Sequence, residues 1–150
     1  MARGTAAALL TLALLSAILL PLIACAGERP RALAYARFAA YGLGGVVCHQ
    51  KPDRSFFSCA RQWPVCARCT GLYLGGGIGA IAGLMGLGRG ASWRRWRRGV
   101  MAAALPTAVL WGVEMAGWWD PGSPVRAVVA AALGGVAGAW LAAVARGDLR

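Results

Sequence analysis

Charge is scarce in this chain: Asp, Glu, Lys and Arg make up 14% of its 150 residues, against 59% hydrophobic residues and a mean hydropathy of +0.58. So little charge over so much apolar side chain excludes an ordinary soluble domain of this size and points to an integral membrane protein. Acidic residues are the rarest, five against sixteen basic, which leaves a net charge of +11. That excess alone would suit a nucleic-acid binder. No RNA- or DNA-binding motif accompanies it, however, and the basic residues lie between or beside apolar segments, so nucleic acid is not an expected partner. Lysine is nearly missing, Lys51 being the only one, and histidine occurs once, as His49. Any imidazole chemistry is therefore confined to a single position.

What is present is a cluster. Residues 48–69, CHQKPDRSFFSCARQWPVCARC, hold His49 and four of the five cysteines. Cysteine and histidine are metal ligands and redox groups, so their concentration points either to a metal or to thiol–disulfide exchange.

The rest of the chain places that cluster. Ala6–Ala26 carries no charge and is long enough for a first membrane span. A competing reading takes the same stretch as a signal peptide, with Leu22-Ile23-Ala24-Cys25 as a lipoprotein cleavage box and Cys25 the lipidated residue. Residues 27–68 read as a loop with seven basic and two acidic residues, containing a surface-lying helix that ends near Gly42–Gly45. A second span is expected over residues 69–88, its helix opened by Pro64. A basic loop follows, with Trp93 and Trp96 among the headgroups and Arg94, Arg95, Arg97 and Arg98 on anionic phosphates. A third span over 100–119 contains Glu114, and a short turn leads to a fourth over 125–145. The expected fold is therefore all-α, a single polytopic membrane domain of about four transmembrane helices in two hairpins, with the Cys/His loop between helices 1 and 2. Counting basic residues with both termini cytoplasmic puts eight on each side. The density of arginine between residues 89 and 98 then decides for a multi-pass inner (plasma) membrane protein, its termini cytoplasmic and its cysteine loop outside. Gly75, Gly79 and Gly83 recur on one helix face, as do Ala131, Gly135 and Ala139. Such faces let membrane helices approach closely and offer a route to a homo-oligomer.

Two chemistries are open for the cluster. If Cys66 and Cys69 stand at a helix start, unpaired amides and the helix dipole favour thiolates there. With Cys48 and His49 they would make a Cys₃His set suited to tetrahedral zinc. Adjacent residues seldom ligate one ion comfortably, so His49 is either a ligand or a group supporting one. In the second chemistry Cys66, Cys69 and Cys48 exchange disulfides, with Cys59 completing a shuttling pair. Cys59 otherwise reads as a loop thiol or half of a structural disulfide, and Cys25 as a small apolar residue inside the bilayer. Glu114 is costly in a span unless paired, with Arg68 and Arg126 the nearest candidates; the alternative is that it snorkels to the interface.

Cys48-His49-Gln50, then Arg54-Ser55-Phe56, then Pro64-Val65-Cys66-Ala67-Arg68-Cys69-Thr70-Gly71-Leu72-Tyr73-Leu74-Gly75 resembles the signature of a bacterial and archaeal membrane-protein family catalogued as domain of unknown function 2085. The resemblance extends more weakly over Pro106–Gly138, through Glu114, Ser123-Pro124-Val125-Arg126 and Gly134–Gly138. Leu110 stands where members tend to carry a first acidic residue. The resemblance implies a small multi-spanning membrane protein with a Cys/His cluster and brings no activity with it. Three functions follow from the residues: a zinc site of structural or regulatory role, a thiol–disulfide oxidoreductase working with a quinone (a layout similar to the disulfide-forming and vitamin K epoxide reductase enzymes), and a small transporter or scaffold.

Overall fold

The computed structural model describes residues 19, 22–25 and 31–148. Residues 19 and 22–25 are helical, and the rest of the first expected span lies outside the described residues. Helix α1 runs Arg31–Val47, continuing through the glycines where the sequence suggested an end. A 3-10 turn, Pro52–Arg54, leads into an antiparallel hairpin of β1 (Ser55–Ser58) and β2 (Arg61–Cys66), and three helices follow: α2 (Ala67–Leu84), α3 (Trp93–Met115) and α4 (Gly122–Arg146).

The hairpin overturns the all-α expectation. Ser55 pairs with Cys66, Phe57 with Gln62 and Ser58 with Arg61, so Cys59 and Ala60 form a two-residue turn. Both have positive φ, 52° and 58°, the requirement of a turn that follows strand twist. The usual glycine signal is missing, which is why the turn was invisible in the sequence. Pro64 lies inside β2 and does not open the helix. A two-stranded sheet tolerates it because a strand with a free edge need not donate every N–H.

The four-span expectation fails as well. Among the described residues one helix, α4, is long and apolar enough to cross a membrane, with a mean hydropathy of 2.0 over its apolar window. Six glycines and Arg68 dilute α2, while α3 begins with a tryptophan- and arginine-rich stretch and carries Glu114 near its end. The basic segment is thus helical, not a loop. Its Trp96 turns inward onto Ala91, Ala139 and Ala143, whereas Arg94, Arg95, Arg97 and Arg98 stay exposed.

Among the described residues, helices α2 and α4 make the tightest contact. A Cβ on Gly71, Gly75 or Gly79 would collide with the backbone of Ala127, Ala131 or Gly135 respectively, and one on Gly134 or Gly138 with the carbonyls of Leu72 or Gly76. The paired numbers rise together, so the two helices are parallel, and α3 returns between them in sequence. The small-residue faces are therefore spent on each other within one chain. This parallel pairing puts the N-termini of α2 and α4 and the C-terminus of α3 at one end, where the cysteines lie.

Candidate functional site

Three cysteines meet at this end. Cys48 directly follows α1, its N–H bonding back to Gly44 O at 2.9 Å. Gln50 takes a positive φ of 47°, which folds the chain back so that its N–H points at the Cys48 sulfur at 3.4 Å. The Cys66 N–H donates to the same sulfur at 3.1 Å. Cys66 ends β2 and caps α2 with extended backbone, and its side chain makes no capping bond. Cys69 lies one turn further on. The sulfurs of Cys48, Cys66 and Cys69 all fall within 4.8 Å of one another, and these three can hold a metal ion. Around a tetrahedral zinc with Zn–S near 2.3 Å the sulfurs would stand about 3.8 Å apart, so a modest closing of side chains completes the set.

The surroundings of the three sulfurs differ. Cys48 is buried and packs with Val65 against Trp63 and Tyr73. The Cys69 thiol hydrogen-bonds to Cys66 and, against the opposing effect of burial and aided by the Cys69 and Arg68 amides, holds Cys66 down to about 5. That same bond, together with burial, pushes Cys69 upward. Of the two, Cys66 is therefore the more readily ionised, with the Cys69 thiol donating to it.

His49 is exposed and stands outside the sulfur group. Cys59 also stands apart, because it is disulfide-bonded to Cys25 across 34 residues. This corrects the reading of Cys25 as a bilayer-embedded apolar residue. Lipidation of Cys25 and this disulfide exclude each other, since both use the one sulfur.

Two glutamines form the scaffold, and the sequence reading assigned neither a role. Gln50 donates to Tyr41 O at 2.8 Å and Pro64 O at 2.7 Å, joining α1 to β2 beneath Cys48. Gln62 donates to Gln50 O at 2.6 Å and Ser55 Oγ at 3.0 Å, and Tyr41 donates its hydroxyl to Gln62 O. Gly44 is required here, because any Cβ would strike Pro64 O. The signal available was the polar residue itself: a glutamine beside each cysteine segment in an otherwise apolar chain.

Next to the sulfurs lies an ionic cluster. Glu114, its side chain 2% exposed, accepts from Arg68 Nη2 at 2.5 Å and Arg126 Nε at 3.2 Å, while Arg54 Nη1 approaches its second oxygen at 3.8 Å. Arg126, equally buried, also donates to Asp120 Oδ1 at 2.8 Å and to Asp53 O at 3.4 Å. The structure thus brings Arg54, Arg68, Glu114 and Arg126 together on one carboxylate and buries that carboxylate instead of letting it reach water. Leu110, at the position where the resemblance expects an acid, is buried in α3.

Comparison with known proteins gives a family without an activity. The chain is 39% identical over 67 residues to an uncharacterized protein of Methanocaldococcus jannaschii, covering 45% of this chain and 43% of that one. It is 55% identical over 29 residues to an uncharacterized protein of Methanothermobacter thermautotrophicus, covering 19% of this chain and 26% of the relative. The chain therefore matches less than half the length of either relative. No solved structure matches. The sequence profile of DUF2085, described as a predicted membrane protein, matches residues 48–141, a stretch that begins at the first clustered cysteine and takes in the whole ionic cluster. The chain belongs to this DUF2085 family of predicted membrane proteins.

Proposed function

We propose that this protein is a membrane protein whose Cys48, Cys66 and Cys69 bind a zinc ion that orders its cysteine end, in a structural or regulatory role. The observation that carries the reading is the convergence of three thiols from two chain segments, with backbone amides aimed at a buried sulfur. Amide-to-sulfur bonds stabilise charged sulfur, which is the form a metal requires. Exposed His49, adjacent to Cys48, is the candidate for a fourth ligand or for a group that supports one. The hairpin end has little apolar core, so a metal would supply folding free energy there.

The Cys25–Cys59 disulfide supports placing this end outside the cytoplasm, since disulfides persist in oxidising compartments. Helix α4 would then cross the bilayer toward a cytoplasmic C-terminus, with Arg94, Arg95, Arg97 and Arg98 meeting anionic headgroups on the cytoplasmic side. Three neighbouring thiols in such a compartment oxidise unless something holds them, which favours the metal. A homo-oligomer would need a surface other than the mutually buried α2 and α4 faces.

Metal analysis of protein purified without chelator should find one zinc per chain, lost together in Cys48→Ser and Cys66→Ser. Metal-free protein that keeps its hairpin order would overturn the reading. The lowered Cys66 favours a second reading, thiol–disulfide exchange through Cys66 and Cys69 with a quinone as electron acceptor. Thiol trapping in cells separates the two: a Cys66–Cys69 disulfide that follows quinone supply supports exchange, and permanently reduced thiols support the metal.

A further inference from the structure

We infer that Glu114 is a positioning residue for the cysteine centre, acting through Arg68; the inference rests on the metal reading above. Arg68 is one of only two residues between Cys66 and Cys69, so its backbone is part of the segment that aims two of the three sulfurs. Its side chain does not turn to solvent. It reaches 46 residues along the chain to the Glu114 carboxylate at 2.5 Å, near the C-terminus of α3. Helix α3 packs chiefly on α4, and this contact ties its C-terminal end to the first turn of α2. The carboxylate oxygen that accepts Arg68 also accepts Arg126 from the first turns of α4. Arg54, immediately before β1, approaches the other oxygen. Four elements around the centre are thereby referred to a single buried group.

The expense of burying such a group calls for an explanation beyond stability. A buried ion pair seldom stabilises a protein more than apolar residues of the same volume would. What it offers is a fixed geometry, and the segment it fixes is the one bearing Cys66 and Cys69. Groups just outside a metal's ligands typically change its affinity 10–100-fold when removed. Arg68 engages Glu114 through one terminal nitrogen, so lysine can preserve the contact and glutamine cannot.

The test uses the full chain in lipid nanodiscs, freed of metal and titrated with Co²⁺, whose thiolate charge-transfer absorption reports ligand geometry. Arg68→Gln and Glu114→Gln should each weaken Co²⁺ binding by about 10-fold or more and shift the band, with Arg68→Lys restoring both. Asp148→Asn, which breaks the Arg146–Asp148 pair at the opposite end of α4, should leave both unchanged. Unaltered affinity and spectrum in Arg68→Gln, or an equal loss in Asp148→Asn, would overturn the inference while leaving the metal reading intact. If the unsubstituted protein takes up no Co²⁺, the metal reading falls and this inference with it. Should Glu114→Gln not fold, the Arg68→Gln and Arg68→Lys pair decides alone.

Discussion

Cys66 shows how much a residue's neighbours determine. In isolation its thiol would ionise near pH ~8.5, yet the hydrogen bond from Cys69 and the amides of the α2 start hold it at about 5. The sign follows directly: above pH 5 the metal-free protein presents a thiolate at Cys66, and acidification through 5 removes it. Alkylation of Cys66 by iodoacetamide in metal-free protein should therefore show a rate midpoint near pH 5, and Cys69→Ala should move that midpoint upward toward the ordinary range. A midpoint near 8.5 in the unsubstituted protein would refute the assigned donor. The sequence made the Cys66–Cys69 pair legible, since spacing alone puts two thiols on one turn. It left His49 and Cys59 undecided, because whether a side chain faces a sulfur or the solvent depends on the fold of the intervening hairpin.

At the scale of elements, the α2–α4 pair is set by missing side chains. The spacing of Gly75, Gly79 and Gly83 advertised a close helix contact, and the partner turned out to be in the same chain. A Cβ at Gly79 has no room beside the Gly135 backbone, so Gly79→Ala must push the helices apart and should cost on the order of 1–3 kcal/mol. Gly112 in α3 has open space around its missing Cβ, and Gly112→Ala should instead stabilise by about 0.5–1 kcal/mol through helix propensity. Thermal unfolding in one detergent checks both, and a Gly79→Ala protein as stable as its parent would contradict the parallel pair. The hairpin was hidden for a physical reason. Its turn is closed by Cys59 and Ala60 at positive φ without glycine, and it is held by contacts distant in sequence: Cys25 on Cys59, Gln62 on Gln50, and the hydroxyl of Ser123 on Ser55 O at 3.3 Å.

Across the whole molecule the five cysteines divide by partner: Cys25 with Cys59, and Cys48, Cys66 and Cys69 as free thiols. Denatured, chelator-treated protein should accordingly add three maleimide groups without reductant and five after reduction, as read by intact mass. Any other unreduced count would show a different pairing. Composition by itself pointed to a membrane protein, in keeping with the family's description, and to residues 48–69 as the place where four of the five cysteines and the one histidine gather, because excess apolar surface and clustered thiols are properties of the chain whatever its fold. Local spacing also gave the Cys66–Cys69 pair and the glycine faces, since both repeat with the turn of a helix. Only the tertiary structure decided that Cys48 joins that pair, that Cys59 leaves it for Cys25, and that Glu114 gathers three arginines. Those choices depend on distances between segments tens of residues apart, which are fixed by the parallel packing of α2 on α4 and the fold of the hairpin above them, and no short-range pattern encodes either.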